Sequence, residues 1–189
     1  MANHQDTVPY RLAQATGLLL GTLSAGANLT LSVFLVPRLL ESPTPLMLQQ
    51  WGRTYRRGAA TVPFAAGLAA ASYAYLSYYY YHHHHTSLGL LTRARAYLAA
   101  AALTVGIVPY TLAVMGRTNR GLNQMERAVD QAAAAAKEAS AESEKEEEED
   151  VVGVEEESAK RLVDWWGVLN LGRGVMLLAG SICGLVATL

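Results

Sequence analysis

Cysteine is nearly absent from this chain of 189 residues, since Cys183 is its single copy. No disulfide can therefore form within the chain, and its cysteine content gives no indication of a redox compartment. The first ten residues are polar and lack a basic cluster, so we expect no cleavable signal peptide. Acidic residues are also missing from most of the sequence, because only Asp6 and Glu41 lie outside the stretch from Glu126 to Asp164.

The familiar motifs of soluble enzymes are missing as well. The sequence has no glycine-rich phosphate loop, no His-Glu-x-x-His and no Gly-x-Ser-x-Gly. Its apolar runs contain no pair of carboxylates for a proton relay, and no two broken helices stand in repeat positions. The lack of paired carboxylates and of broken helices disfavours a proton-coupled transporter. Separately, we expect no nucleic-acid partner.

Long apolar runs dominate what is present. The chain is 51% hydrophobic, and four apolar blocks cover about residues 12–36, 59–80, 96–115 and 165–189. Each block has roughly 20 residues or more, enough for a helix to cross a hydrocarbon layer about 30 Å thick. Parts of the second and third blocks lack the polar stripe of a soluble bundle. The sequence therefore predicts an all-α fold, with residues 1–189 forming one four-helix transmembrane bundle.

Basic residues predict how this bundle is oriented in its membrane. Four spans place both termini on one side, and the first and third loops on the other. The first loop carries Arg38, Arg53, Arg56 and Arg57, whereas the side of the termini has only Arg11, Arg93 and Arg95. Since basic residues accumulate on the cytosolic side, we expect cytosolic first and third loops and lumenal termini in an endomembrane.

Two loop segments have distinctive compositions. Residues 44–57 read as a short amphipathic helix that runs into span two, and its Trp51 and Tyr55 are typical of an interfacial anchor. Residues 130–160 are rich in alanine and then in glutamate, with too much charge to bury a core. We expect this segment to be an acidic insertion in the cytosol, either disordered or a frayed helix.

A histidine run, His82–His85, follows four tyrosines at the end of the second block. Imidazole is a good metal ligand. However, four adjacent histidines lack the i, i+4 spacing of a dedicated site on one helix face. We interpret the run as low-complexity sequence and predict no metal site.

Arg173 is the most informative residue, because it lies inside the fourth apolar block. An ionisable residue there is costly and indicates a functional site. Trp166, Asn170 and Arg173 have the spacing i, i+4, i+7, which places them on one helix face. The simpler alternative is that Arg173 reaches the headgroups or pairs with Asp164.

Polar residues and prolines in the other blocks suggest how a pocket could form. Asn28 and Ser32 share a face of span one, where an asparagine can hydrogen-bond another helix. Pro63 and Pro109 should kink their helices and widen the bundle at one end. By topology, one group of residues converges near the cytosolic leaflet: Trp51, Tyr55, Arg57, Asn119, Trp166, Asn170 and Arg173.

Four short motifs, each at a defined place relative to a predicted span, occur one after another along the chain. They are Phe34-Leu-Val-Pro37, then Gln50-Trp51-x3-Tyr55-x2-Gly58, then Pro109-Tyr110-Thr111 leading to Thr118-Asn119, and finally Trp166-x2-Leu169-Asn170-x2-Arg173. With this order the chain resembles the anthrone oxygenase-like family of small four-span membrane proteins. The resemblance implies a membrane-bound monooxygenase of aromatic polyketide secondary metabolism. Such an enzyme converts an anthrone to an anthraquinone with O2.

The resemblance also suggests roles for individual residues. The expected catalytic residues are Arg173, Asn170, Asn119 and Tyr55. The expected substrate-binding residues are Trp51, Trp166, Arg57 and Asn28. Arg173 with an asparagine would hold an oxyanion, the aromatic rings would form a slot, and the base would be Tyr55 or a water held by Asn170.

The expected partners are the lipid bilayer and an aromatic polyketide. Molecular oxygen is the expected co-substrate, with no other cofactor. The sequence leaves metal content and oligomeric state open. A second hypothesis is a non-enzymatic four-span scaffold or small-molecule carrier, in which Arg173 and the asparagines fix helix packing or hold an anionic lipid.

Overall fold

The computed structural model describes residues 7–83, 88–142 and 156–189, and these residues form helices joined by short turns. Their helices are α1 (Thr7–Thr30), a π-helical turn (Leu31–Leu35), α2 (Val36–Leu40), α3 (Thr44–His83), α4 (Leu88–Val105), α5 (Ile107–Tyr110), a second π-helical turn (Thr111–Met115), α6 (Gly116–Glu142) and α7 (Glu156–Thr188). Several of these elements follow one another almost without a break, so the described chain forms four long helical rods. The first rod runs from α1 to α2, the second is α3, the third runs from α4 to α6, and the fourth is α7.

Each rod contains a segment long and apolar enough to cross a membrane. The segments are Val8–Leu40, Thr44–His82, Leu91–Lys137 and Glu156–Thr188, here called spans one to four. The predicted all-α fold with four membrane-spanning helices is therefore confirmed, and the architecture is that of a multi-pass membrane protein. At a rise of about 1.5 Å per residue, every rod is longer than a hydrocarbon layer is thick.

Helix α3 begins at Thr44, so the helix predicted for residues 44–57 is present and continues into span two without a break. Trp51 is fully buried within it, in a core cluster with residues of α2, α6 and α7. The interpretation of Trp51 as an anchor among lipid headgroups is therefore wrong. The reason is that α6 and α7 extend beyond the apolar blocks and cover this face of α3.

Of the two alternatives expected for residues 130–160, disorder or a frayed helix, the structure has helix wherever it describes this segment. Helix α6 continues to Glu142 and α7 begins at Glu156. Alanines favour helix at residues 132–136, while Val129 and Ala159 are buried in the core on either side of the acidic tract. Residues 143–155 lie outside the described part of the chain.

Two glycines of α7 allow this helix to pack closely against span one. A Cβ at Gly167 would meet the side chain of Val36 at 3.0 Å, and one at Gly174 would meet Leu29 at 2.8 Å. Small residues of this kind allow membrane helices to approach closely. As a result, Asn170, which lies between these two glycines, comes within hydrogen-bonding reach of span one.

The opposite end of the bundle is held by tyrosines. Tyr10 hydrogen-bonds Tyr80, and Gln14 donates to the hydroxyls of Tyr10 and Tyr97 at 2.8 and 3.0 Å. His82 packs against the ring of Tyr78. His84 and His85 lie outside the described residues, so the interpretation of the histidine run stays a prediction.

The two intramembrane prolines have different effects. Pro63 lies inside α3, which continues across it as one helix. Near Pro109 the regular α-helix is interrupted, because α4 ends at Val105 and the π-helical turn begins at Thr111. Proline lacks an amide hydrogen and clashes with the preceding turn, which explains the interruption. This irregular stretch faces α3 across a cavity.

Candidate active site

A cavity of about 190 Å³ lies between the spans, near the ends of the apolar blocks that lead to the first and third loops. Span one contributes Asn28 and Leu31, and span four contributes Trp166, Asn170 and Arg173. Spans two and three contribute Thr54, Tyr55, Gly58, Ala59, Val62, Pro63, Ile107, Val108, Thr111 and Leu112. The lining is thus mostly apolar, and spans one and four contribute its amide and charged side chains, those of Asn28, Asn170 and Arg173.

Arg173 lines this cavity as a half-buried side chain. Its Nε is buried and has no hydrogen-bond partner. Within the described residues no carboxylate forms an ion pair with it, and Asp164 is exposed to the outside. Its electrostatic neighbours are the tyrosines Tyr55 and Tyr110. Arg173 therefore supplies a positive charge that no acidic side chain of the described chain neutralises.

Two buried asparagines lie next to Arg173 in the cavity wall. Nδ2 of Asn170 donates to the carbonyl of Asn28 at 2.9 Å and to Oγ of Ser32 at 3.2 Å. Nδ2 of Asn28 donates to the carbonyl of Ser24 at 2.8 Å. Because each amide nitrogen faces a carbonyl, each amide oxygen must point elsewhere, and both Oδ1 atoms are buried without a partner. Buried polar atoms are rarely left unpaired, so these two acceptors suit a bound molecule.

Aromatic rings form the adjoining wall. Tyr55 and Trp166 line the cavity, and Trp51 lies behind them. The ring of Trp51 stacks on Tyr55 at a centroid distance of 5.0 Å and meets Trp166 edge-to-face at 5.9 Å. Both arrangements are favourable for aromatic pairs. Trp51 therefore fixes the orientation of the two lining rings and does not itself contact the cavity.

Tyr110 ties span three to span four beside the site. Its hydroxyl donates to the carbonyl of Leu169 at 3.1 Å. This contact requires glycine at position 172, because a Cβ there would lie 2.5 Å from the Tyr110 hydroxyl. Sequence reasoning did not assign Tyr110 to the site, although the Pro109-Tyr110-Thr111 motif pointed to it. Its contacts with Leu169 and Gly172 lie on the turn of α7 that carries Asn170 and Arg173, and so fix this turn.

Five of the predicted site residues line the cavity: Asn28, Tyr55, Trp166, Asn170 and Arg173. Trp51, Arg57 and Asn119 do not. Arg57 is exposed on the outer surface of α3. Asn119 is buried, but it lies seven residues beyond the lining residue Leu112, about 10 Å farther along the rod. The expectation that these three residues face the same chamber is therefore wrong.

The described residues contain no group of three or more His, Cys, Asp and Glu side chains arranged for a metal ion. Within the cavity wall, Tyr55 and Arg173 are the two residues with ionisable side chains. The expectation that molecular oxygen is used without another cofactor stays a prediction.

Comparison with known proteins identifies relatives of this chain. A sequence profile of the family described as anthrone oxygenase matches residues 51–183. An anthrone oxygenase of Paecilomyces divaricatus is 31% identical over 175 residues, which cover 91% of this chain and 92% of that protein. An anthrone oxygenase of Claviceps purpurea is 31% identical, covering 87% of this chain and 81% of that protein.

A third relative has a more specific name. A noranthrone monooxygenase of Aspergillus flavus is 27% identical over 172 residues, which cover 89% of this chain and 70% of that protein. The matched profile includes all cavity-lining residues of spans two, three and four. No solved structure matches the chain.

Proposed function

This chain belongs to the anthrone oxygenase family, and from that premise we propose that its cavity oxidises an anthrone to the corresponding anthraquinone with O2. In this reaction the ring CH2 becomes a carbonyl group, one oxygen atom of O2 enters the product, and the other leaves as water. The substrate itself provides the electrons that reduce O2. The natural substrate would be an anthrone of an aromatic polyketide pathway.

The observation that supports this function best is the unpaired charge of Arg173 in a mostly apolar cavity. Removing a proton from the CH2 of an anthrone places negative charge on the carbonyl oxygen across the ring. A fixed cation in a site of low dielectric stabilises such an oxyanion far more than water does. Arg173 would bind this oxygen, and the product carbonyl would be released as the charge is lost.

We assign Tyr55, in its phenolate form, as the proton acceptor. It is the ionisable lining residue other than Arg173, and the two side chains are electrostatic neighbours. Its stacking on Trp51 holds the ring at the cavity wall. After proton loss, the electron-rich anion passes an electron to O2, and a C–O bond forms at the same carbon to give a peroxide anion. Tyr55 returns its proton to this peroxide, and loss of water then breaks the O–O bond and the remaining C–H bond and leaves the ketone.

The dimensions and lining of the cavity suit a flat aromatic ring system. A closed apolar cavity of about 150 Å³ accommodates benzene, so this cavity of about 190 Å³, which is open at one side, has room for at least one ring of an anthrone. Tyr55 and Trp166 provide ring faces and edges for stacking. The unpaired amide oxygens of Asn28 and Asn170 would accept hydrogen bonds from phenolic hydroxyls of the substrate.

We also infer that the first and third loops are cytosolic and that both termini are lumenal. The arginines of the first loop support this orientation through the positive-inside rule. A protease-sensitive tag at either terminus should resist digestion from the cytosolic side of intact membranes. Digestion of a terminal tag from that side would show the opposite orientation.

The function is tested with purified protein in lipid nanodiscs. Anthrone is added, and O2 uptake and anthraquinone absorbance are followed together, with empty nanodiscs as the control for spontaneous oxidation. We expect uptake of one O2 per anthraquinone, at a rate well above the control, and ¹⁸O from labelled O2 in the new carbonyl. A carrier or scaffold would bind the anthrone and leave the oxidation rate at that of empty nanodiscs.

A further inference from the structure

We propose that the substrate enters the cavity sideways from the hydrocarbon layer, through an opening between spans two and three. This inference concerns the access route to the proposed oxygenase site and therefore rests on the proposed function. The opening, here called the lateral mouth, is formed by Ala59 and Pro63 of α3 and by Val108 and Leu112 of span three.

The lateral mouth consists of those cavity-lining residues whose side chains are exposed on the outer surface of the bundle. Its four residues are the exposed members of that lining, and all four are apolar. Leu112 is 74% exposed and Val108 is 44% exposed. By contrast, Asn28 is fully buried on the far side of the cavity. The polarity of the cavity therefore runs from an apolar edge that opens outward to a polar wall inside.

The position of the mouth along the spans places it in the membrane. Ala59 and Pro63 stand at the beginning of the second apolar block, and Leu112 stands three residues before the end of the third. At about 1.5 Å per residue, the mouth lies within roughly 10 Å of the block ends. Arg57 lies two residues before Ala59, and Arg117 lies five residues after Leu112. Both arginines are exposed, as expected for side chains at the headgroups. The mouth therefore opens to acyl chains just below the headgroup region.

Local sequence explains why the spans do not close this gap. Gly58 borders the cavity, and a Cβ built there meets no atom within 4 Å. On the other side, the break near Pro109 and the π-helical turn Thr111–Met115 displace the regular course of span three. The gap is thus formed by backbone features on both helices and does not depend on a single side-chain rotamer.

This geometry implies one orientation for the substrate. Its oxygen-bearing edge would face Arg173 and the asparagines, and its other edge would face the acyl chains at Leu112. Aromatic polyketides with few charges partition into lipid, so an entrance in the hydrocarbon layer meets a concentrated pool of substrate. Alkyl substituents on the edge away from the oxygens should be accepted, because they would remain in the bilayer.

A membrane-tethered substrate tests the route. An anthrone with a dodecyl chain on the edge away from its oxygens is incorporated into nanodiscs that contain the protein. We expect its oxidation at a rate similar to that of free anthrone at the same lipid mole fraction. Oxidation of free anthrone without oxidation of the tethered compound would overturn the lateral route and leave the proposed function standing.

Two matched variants locate the entrance. Leu112→Trp places a large ring in the mouth, while Val114→Trp places the same ring on the same turn at an exposed position outside the cavity lining. We expect Leu112→Trp to lower kcat/KM for both substrates by roughly tenfold or more and Val114→Trp to leave it near wild type. Equal kcat/KM in the two variants would contradict the assignment of the mouth.

A binding measurement separates failure of the route from failure of the function. A dodecyl-tethered anthraquinone, irradiated in the nanodiscs, should label cavity residues in wild type and Val114→Trp but not in Leu112→Trp. Free anthraquinone should compete with this labelling. Labelling without turnover would refute the oxygenase function and keep the route. Absence of cavity labelling in the wild type would refute the route whatever the turnover.

Discussion

Replacing Arg173 by methionine should change stability and activity in opposite directions. In the described chain the guanidinium has no acidic partner, and its Nε has no hydrogen bond. Its removal therefore leaves no orphaned carboxylate behind. Methionine fills a comparable length with an apolar side chain, so Arg173→Met relieves the cost of holding a charge inside a membrane helix.

The sizes of the two effects follow from the surroundings of Arg173. An arginine at the centre of a membrane helix costs about 2.5–3.5 kcal/mol on insertion scales. Arg173 is half-buried and eight residues from the start of the fourth apolar block, so we expect Arg173→Met to gain about 1–2 kcal/mol. Loss of an oxyanion donor costs about 3–4 kcal/mol of transition-state stabilisation, a few hundredfold in kcat.

The assay combines unfolding in mixed micelles with O2 uptake per folded protein. Arg173→Lys keeps the charge and loses the planar fork, so it should retain partial activity. Arg173→Ala should lose activity to the same extent as Arg173→Met. If Arg173→Met is more stable and turns over at the wild-type rate, Arg173 only reaches toward the headgroups and the oxyanion role is refuted.

Three further predictions concern the surroundings of the site and the segments away from it. Gly172→Ala should lower kcat because its Cβ would lie 2.5 Å from the Tyr110 hydroxyl. Adding Tyr110→Phe should restore part of that loss, and a double mutant no better than Gly172→Ala would count against the steric explanation. Deleting residues 143–155 should leave expression and turnover unchanged, and a well-inserted deletion variant without turnover would show that this segment completes the site. Replacing His82–His85 by serine should alter neither turnover nor metal content, whereas joint loss of both would reveal a metal site.

Features set by a single helix could be predicted from the sequence. The four spans follow from block length, and the common face of Trp166, Asn170 and Arg173 follows from helical periodicity. Both are present in the structure, because neither depends on how the helices pack against each other. The sequence also indicated that Asn28 would contact another span, since a buried amide in a membrane helix needs a hydrogen-bond partner on a neighbouring helix.

Features that depend on helix packing beyond the membrane could not be predicted. Trp51 appeared to be exposed near the headgroups, because the sequence does not reveal that α6 and α7 continue past the apolar blocks and cover it. Asn119 was placed in the site by topology alone, and the sequence does not reveal that the cavity ends near Leu112, about 10 Å short of Asn119 on the third rod. Tyr110 was missed because its contact depends on the space that glycine 172 leaves on a different helix.

The central claim, that oxidation takes place in the cavity beside Arg173, is tested most directly by filling that cavity. Gly58 lines the cavity and Gly67 does not, yet both lie in α3 and a Cβ at either position meets no atom within 4 Å. Neither position therefore has a steric obstacle at Cβ, and replacing glycine by leucine at either position should raise helix propensity to the same degree, by about 0.8–1 kcal/mol. The amount of folded protein recovered for each variant checks that both fold. The measurement is the initial rate of anthraquinone formation, coupled to O2 uptake, in nanodiscs. We predict wild-type rates for Gly67→Leu and at least a roughly tenfold loss for Gly58→Leu; equal rates for the two variants would contradict the claim.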